Sequence, residues 1–464
     1  MSAKHVKTLR ERLSISIGLP FRDILPEDMI QQNLDKENIK YRKRLYTPII
    51  TLWTFIRQVL DPDKSCSNAV SGILSILCDE VSPDDGGKLP SDDTGAYCKA
   101  RKRLSLSFII RLFRHVGQAL HQKPTDEFLW CNRRVFLVDG STFSMYDTPE
   151  NQQEYPQPKN QHKYHGFPVA RILGIFCLAT GALIDAAIGS FWVPEINLFR
   201  MLYSRLNPGD VALGDKLFGS YGDIALLSRR CIDSVFRMHH LRKTDFRKGK
   251  RLGSKGIYDH LVTWKRPRKD TLHLKPELYA RLPETMLVRE LRYFIYIKGF
   301  RTNKVTLVTT LVDNCVYTYE LLAELYGLRW QVEIDLRHLK TTMQMEHLQS
   351  KSPEMVRKEF YVHLLAYNLI RATLWEAGIE NNVHPLKLSY KGAIQHVLNF
   401  IPTLAFMKDR NVIYYIYGAM LAIISHGKLL ERPFRVEPRM VRSKKRQFPR
   451  LTRPRQEIRQ KLIA

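Results

Sequence analysis

The order of short apolar runs and helical segments between Arg134 and Met238 narrows the fold more than any other feature of the chain. Val135-Phe136-Leu137-Val138 is a short apolar run that finishes on Asp139. Val169–Thr180 and Ala182–Phe191 are two longer runs joined at Gly181, the signature of a hairpin. Leu198–Leu206 has helical spacing and is closed by Asn207-Pro208-Gly209. Val211-Ala212-Leu213-Gly214 is a further strand, finishing on Asp215; Gly222–Cys231 returns to helix and Ser234–Met238 to strand. The pattern predicts an α/β unit in which two different strands each end in a carboxylate.

Three strands, helix, strand, helix, strand is the order of an RNase-H-like fold. The alternation stops near residue 240. From there Leu241–Gly253 is basic and punctuated by glycine, and Asp259–Trp264 and Leu287–Ile295 have strand character. Val305–Val312 is another strand, after which Glu320–Lys340 is helical. Within it Leu325, Leu328, Val332, Leu336 and Leu339 fall on one arc of about 80°, and Tyr326, Arg329, Glu333 and Lys340 on a neighbouring arc of about 60°. The helix thus offers a packing face and, beside it, a stripe of phenol, guanidinium, carboxylate and ammonium. Alone, that stripe is equally the solvated face of a surface helix with an i,i+4 ion pair.

The expected organisation is therefore an RNase-H-like catalytic core interrupted by a β-rich insertion, flanked by a helical N-terminal domain and a helical, basic C-terminal region. The boundaries fall at 1–128 for the helical front, 129–239 for the first part of the core and 240–304 for the insertion. Residues 305–378 form the second part of the core and 379–464 the C-terminal region. The front carries helical runs at Tyr46–Leu60, Asn68–Leu77 and Leu104–Leu120, broken by the polar Val81–Gly87. Gly95–Arg103 loads a helix with cations suited to gripping a duplex. Met355–Trp375 is a second long helix, and helical texture runs on through Ala393–Ile424. The tail, Arg432–Lys461, has about a dozen Lys and Arg against two acids and four prolines, so it is expected to be extended and to lie along phosphates.

Charge says what such a chain meets. Its 464 residues carry 73 Lys and Arg against 46 Asp and Glu, a formal net charge of +27. A compact chain tolerates that self-repulsion when its partner is a polyanion, and an apolar fraction of 44% rules out a disordered polycation. Nucleic acid, DNA or RNA, is the expected partner. A membrane is not: the most apolar run, Val412–Ser425, is too short to span one, and the first residues lack the apolar stretch of a signal peptide. If exposed, Val412–Ser425 is a candidate dimerisation surface. Seven scattered cysteines without a C-x-x-C fit reduced core thiols and a cytoplasmic protein.

Three acids then define the chemistry. If the strands ending in Asp139 and Asp215 are neighbours and the helix bearing Glu333 packs on them, three hard oxygen donors converge. Such a site suits Mg²⁺ or Mn²⁺, two ions per active site, for in-line attack on a phosphodiester by water or a 3′-hydroxyl. Asp210 and Asp223 are rivals for the second position but end no apolar run as cleanly. Arg329 and Lys340 can hold flanking phosphates, Tyr326 can hydrogen-bond one, and Trp264 in the insertion can stack on an extruded base.

Asp139-Gly140-Ser141-Thr142, with Asp147-Thr148-Pro149-Glu150-Asn151 and Tyr155-Pro156-Gln157-Pro158, resembles the first-Asp region of bacterial DDE transposases of the insertion sequence four type. Tyr326-x-x-Arg329-x-x-x-Glu333-x-x-x-x-x-x-Lys340 matches that family's Y-R-E-K signature at full spacing. The resemblance covers about Val135–Trp375. It implies divalent-metal-dependent cutting at the terminal inverted repeats of a mobile element and joining to target DNA, by a homodimer acting on paired ends. It also implies that excision often passes through a hairpin. One position departs from the pattern: family members often have Arg after the second Asp, whereas Lys216 stands here, keeping the charge and losing the fork. A metal-dependent nuclease without strand transfer, and a non-catalytic DNA-binding relic, are the alternatives.

Overall fold

The computed structural model describes residues 7–12, 21, 24–37, 41, 44–77, 91–159, 165–239, 241–254, 257–268, 274–295, 304–407, 409–429 and 453–463. The polar break at Val81–Gly87 and most of the basic tail lie outside them. Residues 7–12 are helical, and then come α1 (Glu27–Lys36), α2 (Pro48–Leu60), α3 (Cys66–Leu77), α4 (Gly95–Arg103) and α5 (Leu106–Gln122). Thr47 and Ser105 cap α2 and α5, accepting from the N–H of Ile50 (3.4 Å) and Phe108 (3.2 Å). Nearly every residue of α2 is buried, because its apolar residues cover the whole circumference.

A mixed α/β region follows. Its elements are β1 (Val135–Met145), α6 (Pro149–Glu154), β2 (Val169–Cys177), β3 (Leu183–Ser190), α7 (Glu195–Leu202), β4 (Val211–Gly214), α8 (Tyr221–Ser228) and β5 (Asp233–Arg237). Then come β6 (Lys250–Arg251), β7 (Tyr258–Lys265), α9 (Pro276–Ala280), β8 (Thr285–Phe294), β9 (Lys304–Thr309), α10 (Tyr319–Leu328) and α11 (Trp330–Arg337). The chain finishes through β10 (His347–Leu348), α12 (Pro353–Glu380), α13 (Tyr390–Phe406), α14 (Arg410–His426) and α15 (Arg455–Ile463).

Among the described residues the ten strands belong to one sheet, ordered β3-β2-β1-β4-β5-β9-β8-β7-β6, with β10 added on β1. The β2–β3 hairpin turns at Gly181, whose φ of +69° suits glycine. β1, β4 and β5 are parallel, and the crossovers between β3, β4 and β5 are made by α7 and α8, as parallel pairing requires. β9 runs antiparallel to β5 and hands the sheet on to β8 and β7, so the segment after residue 240 continues the central sheet.

The acidic helix departs from the ideal wheel. The Arg329 N–H bonds back to Tyr326 O and the Val332 N–H to Arg329 O, both i→i−3 at 3.2 Å. That is a tight step between α10 and α11. Beyond α11 the turn loosens into a π-helical segment, His338–Thr342. Leu325, Val332, Leu336 and Leu339 are buried as the wheel requires, but Leu328 is 50% exposed. A 3₁₀-like step rotates about 120° per residue, not 100°, and carries Leu328 off the packing face.

The long helix α12 is the hub of the helical layer, packing on α5, α2, α13 and α14. Its Asn368 pairs with the backbone of β3, accepting from the Leu183 N–H and donating to the Leu183 carbonyl, each at 2.8 Å. Its Arg371 forms a fully buried ion pair with Asp335 of α11 and donates from Nε to the Tyr367 hydroxyl at 3.0 Å. Tyr367 in turn donates to the Gly181 carbonyl at 2.7 Å. One network thus joins α11, α12 and the β2–β3 turn.

Two expectations change, those for the tail and for the cysteines, and the condition set on Val412–Ser425 is met in part. The tail is helical at Arg455–Ile463, since Arg455-Gln456-Glu457-Ile458-Arg459 holds no helix breaker after Pro454. Most described cysteines are not core thiols: Cys177 is buried, while Cys231 and Cys315 are exposed. The apolar run at Val412–Ser425 lies in α14, which packs Met420, Leu421 and Ile424 inward and leaves Tyr414 and Tyr415 exposed. Among the described residues no helix is long and apolar enough to cross a membrane.

Removing one partner of a buried ion pair strands the other charge, so Arg371→Met and Asp335→Ala should each cost about 3–5 kcal/mol. Urea unfolding of the two single variants and of the double variant checks this; the double variant should lose less than the sum.

Candidate active site

Asp139 lies within β1, and Asp215 is the first residue after β4. The parallel register pairs Val138 with Gly214, so the two aspartates occupy the next step of adjacent strands and share a face of the sheet. Each is held locally. The Gly140 N–H donates to Asp139 Oδ1 (2.8 Å), and the Leu217 N–H to Asp215 Oδ1 (2.7 Å). Lys216 is exposed beside them.

Helix α11 packs on β1 and brings Glu333 towards this pair. Glu333 does not point free: Arg329 Nη2 donates to its Oε1 at 2.8 Å. Arg329 works in several directions at once. Burial opposes its charge, but Glu333, Tyr326 and Asp139 more than offset that and raise its pKa. Its guanidinium also lies over the Tyr326 ring, 5.9 Å from the centroid. Tyr326 is buried, which pushes its hydroxyl up to about 12 against the pull of Arg329 and Arg237, so it stays a neutral donor. Lys340 lies further along the same helical path, half-buried in the π-helical segment.

Burial pushes the Asp139 carboxyl up to about 6, the charges of Asp215 and Glu195 adding to it against the Gly140 N–H and Arg329. Among the described residues, no three His, Cys, Asp or Glu side chains stand close enough to hold one metal ion. Glu333, turned to Arg329, is the acid that would have to move.

The rival acids have other work. Asp223 is fully buried and accepts from Arg200 Nε (2.7 Å), Arg200 Nη2 (3.0 Å) and the Tyr203 hydroxyl (2.8 Å). Asp210 precedes β4, at the opposite end of that strand from Asp215, and accepts from the Asn207 N–H (2.7 Å). Trp264 is not brought to the cluster. It sits on β7, 4% exposed, its Nε1 donating to Glu290 (2.7 Å) and the Arg242 guanidinium 3.6 Å from its ring centroid. In this conformation its face is not open to a base.

Three residues escaped the sequence reading. Arg237 ends β5, and Tyr293 of β8 lies near Tyr326 and Arg329. Looking for cations at strand ends, as was done for acids, would have found Arg237. Glu195 opens α7, a helix whose start the apolar spacing had put at Leu198. Pro194 just before it was the available signal.

Two aspartates side by side on parallel strands, with a helix that carries Glu333 packed on one of them, suit chemistry on phosphodiesters, and the wider sequence agrees. The model of the family described as "Transposase DDE domain" matches residues 130–369, just over half of the chain. The chain belongs to that family, and it is a DDE transposase, an enzyme of DNA cleavage and strand transfer. Its similarity to the transposase InsG for insertion sequence element IS4 of Escherichia coli (strain K12) is 26% identity over 450 residues, covering 94% of each chain. A putative transposase of the same organism, InsZ, is 24% identical over 215 residues, 45% of this chain and 67% of that one. Among solved structures, the piggyBac transposase synaptic complex with hairpin DNA aligns at a TM-score of 0.42 and 9% identity, covering 88% of this chain and 85% of that one. Enzymes of the DDE family depend on divalent metal ions.

Because the native Asp139 carboxyl titrates near 6 rather than near 3.8, its ionised form is disfavoured in the fold. Its penalty is absent below about pH 4, grows as pH rises to 6 and is complete above that. In EDTA, Asp139→Asn should therefore stabilise the protein above pH 6 by on the order of 1–3 kcal/mol, with no advantage at pH 4. Thermal melts from pH 4 to 8 read this difference.

Proposed function

We propose that this transposase binds the terminal inverted repeats of an insertion sequence as double-stranded DNA and cuts and joins strands at Asp139, Asp215 and Glu333. The observation that carries the reading is the register that sets Asp139 beside Asp215 on parallel strands, with α11 packed on β1. The strand order β3-β2-β1-β4-β5, with α7 and α8 as crossovers, supports an RNase-H-like core. In that core, residues 240–304 form a β-rich insertion between parts at 129–239 and 305–378, with DNA-binding helices at 1–128 and a basic region at 379–464.

The donor set fits Mg²⁺ or Mn²⁺, since it offers hard carboxylate oxygens and one of them, Asp139, has its pKa raised first by burial and further by its acidic neighbours. Asp139, Asp215 and Glu333 would hold two such ions, which when bound supply activation of the attacking oxygen and stabilisation of the leaving 3′-oxygen. Glu333 joins them by leaving Arg329. A DNA phosphate is the natural replacement partner for that guanidinium, which can clasp it with two N–H donors. DNA entry and completion of the acidic site are thereby one event. Tyr326, neutral at physiological pH, donates its hydroxyl to a neighbouring phosphate. Lys216 and Lys340 contribute as point charges, and Trp264 can stack on a base only if Arg242 leaves its ring. Water first opens the phosphodiester, leaving a 3′-hydroxyl and a 5′-phosphate. That 3′-hydroxyl then attacks a target phosphate, and the target's own 3′-oxygen departs. Two element ends handled together call for a homodimer.

The test uses a labelled duplex carrying the element's own end, read from the DNA flanking the gene. With Mg²⁺ the wild type should cut at the element boundary and form joined products, and Glu333→Ala should do neither. Arg329→Lys, which keeps charge but loses the fork, should cut about 10–100-fold more slowly, the worth of a charged hydrogen bond. Cutting without joining would leave a nuclease; binding without cutting, in Mg²⁺ and in Mn²⁺, would leave a DNA-binding relic.

A further inference from the structure

Cys66 is the first residue of α3, and Cys98 lies in α4. They are 32 residues apart in the chain, yet the Cys98 Sγ stands 3.7 Å from the Cys66 Sγ, in van der Waals contact. Neither is a core thiol. Both are half-buried and line a cleft of about 680 Å³ between α2, α3, α4 and the start of α12. From this geometry we propose that Cys66 and Cys98 are a peroxide-oxidisable pair that closes to a disulfide bond between α3 and α4.

The surroundings single out Cys66 as the sulfur that reacts first. Arg101 Nη2 donates to its Sγ at 3.1 Å and stands 3.8 Å from the Cys98 Sγ, and Gln58 Nε2 donates to the Cys66 Sγ at 3.7 Å. With the Cys98 thiol, three donors converge on one sulfur, an arrangement that suits a thiolate. A place in the first turn of a helix works in the same sense. Burial raises the Cys66 pKa and the neighbouring Cys98 adds to it, while Arg101 and Gln58 pull the other way, so the guanidinium governs how much thiolate is present. Arg101 is itself clamped. It lies 5.0 Å from the ring centroids of both Phe55 and Tyr97, and its Nη1 donates at 3.2 Å to Gln58 Oε1, which also accepts from the Tyr97 hydroxyl at 2.8 Å. A fixed positive charge beside both sulfurs disfavours a metal cation there and leaves oxidation as the chemistry of the pair.

The Cys66 thiolate attacks one oxygen of hydrogen peroxide. The O–O bond breaks, and the other oxygen leaves as hydroxide and takes a proton from solvent, which gives a sulfenic acid at Cys66. The Cys98 sulfur then releases its proton and attacks the Cys66 sulfur. The S–S bond forms, the S–O bond breaks, and the departing hydroxide takes up that proton as water. Two thiols and one peroxide become one disulfide and two waters, two electrons passing from sulfur to oxygen. Closing from 3.7 Å to the about 2.05 Å of a disulfide is within reach of rotation at the two side chains. The bond ties α4, with its exposed Lys99, Lys102 and Arg103, to α3. Disulfides inside a cell are commonly transient and redox-sensing, and this pair has the exposure for that use.

The full chain, reduced and then given one equivalent of hydrogen peroxide, tests this by thiol counting after denaturation and by peptide mapping. The wild type should fall from seven free thiols to five, with a bridge between the peptides of Cys66 and Cys98, and dithiothreitol should restore all seven. Cys66→Ser and Cys98→Ser should each lose that bridge. Arg101→Gln should form it about tenfold more slowly, since the charged donor to sulfur is gone. Seven thiols left in the oxidised wild type, or a bridge between other positions, overturns the proposal, and so does a bridge that survives in Cys66→Ser. Closure at the wild-type rate in Arg101→Gln overturns the part given to the guanidinium.

Discussion

The position of α11 hangs on a buried ion pair. Asp335 and Arg371 are both buried, and between them they lock α11 to α12. Two residues along a helix are about 200° apart, so Asp335 faces the core while Glu333 lies on the other side, paired with Arg329. A purely apolar contact would hold α11 in place but would allow it to slide or roll by a fraction of a turn. A charge pair with a second tie through Tyr367 to the Gly181 carbonyl admits one register. Buried pairs are weak sources of stability and better understood as devices of specificity. Here the specificity is the angle at which α11 lies against α12 and β1.

The strand-and-helix order was legible because each strand is short, apolar and bounded by a turn residue, and because parallel strands demand the crossovers that the sequence spaces out. The end of β4 was legible for the same reason, an acid that terminates an apolar run, whereas β1 does not stop at Asp139 and runs on to Met145, held by its pairing with β2. Glu195 did not stand out, since it precedes the apolar spacing of its helix and acquires meaning only when β3 delivers it over Gly140. Asp335 was hidden differently. On the wheel it is one more charge near a polar stripe, and its partner lies 36 residues away on another helix. Trp264 shows the reverse error, where an aromatic among cations suggested a stacking platform although cation and indole satisfy each other in the fold. Leu328 strayed because a wheel assumes a uniform rotation that the chain does not keep at Arg329.

Charge is arranged in opposition to its average. A chain with a formal net charge of +27 sets Asp139, Asp215 and Glu195 near one another, with Glu333 paired to the Arg329 that also reaches Asp139. The positive groups closest to them, Arg329 and Arg171, are each committed to one of those acids. The centre is therefore an acidic patch within a cationic surface. Diffuse attraction brings a polyanion near, yet the reacting phosphate meets local repulsion until cations or guanidinium groups are rearranged. That arrangement separates affinity, which the whole surface supplies, from reactivity, which a few side chains control.

The unbroken sheet from β3 to β6 has a mechanical consequence. An appended module on a flexible linker could swing to follow a bending duplex, but a module built as the continuation of a hydrogen-bonded ladder cannot. Because β9 is laced to β5 on one side and β8 on the other, the basic segment beside β6 and β7 is carried at a set angle to the aspartates. A duplex that touches both is measured against a stiff ruler. Whatever bending, twisting or unstacking the reaction needs must then be borne by the nucleic acid, and sequences that deform easily next to the scissile bond gain an advantage that no base contact provides.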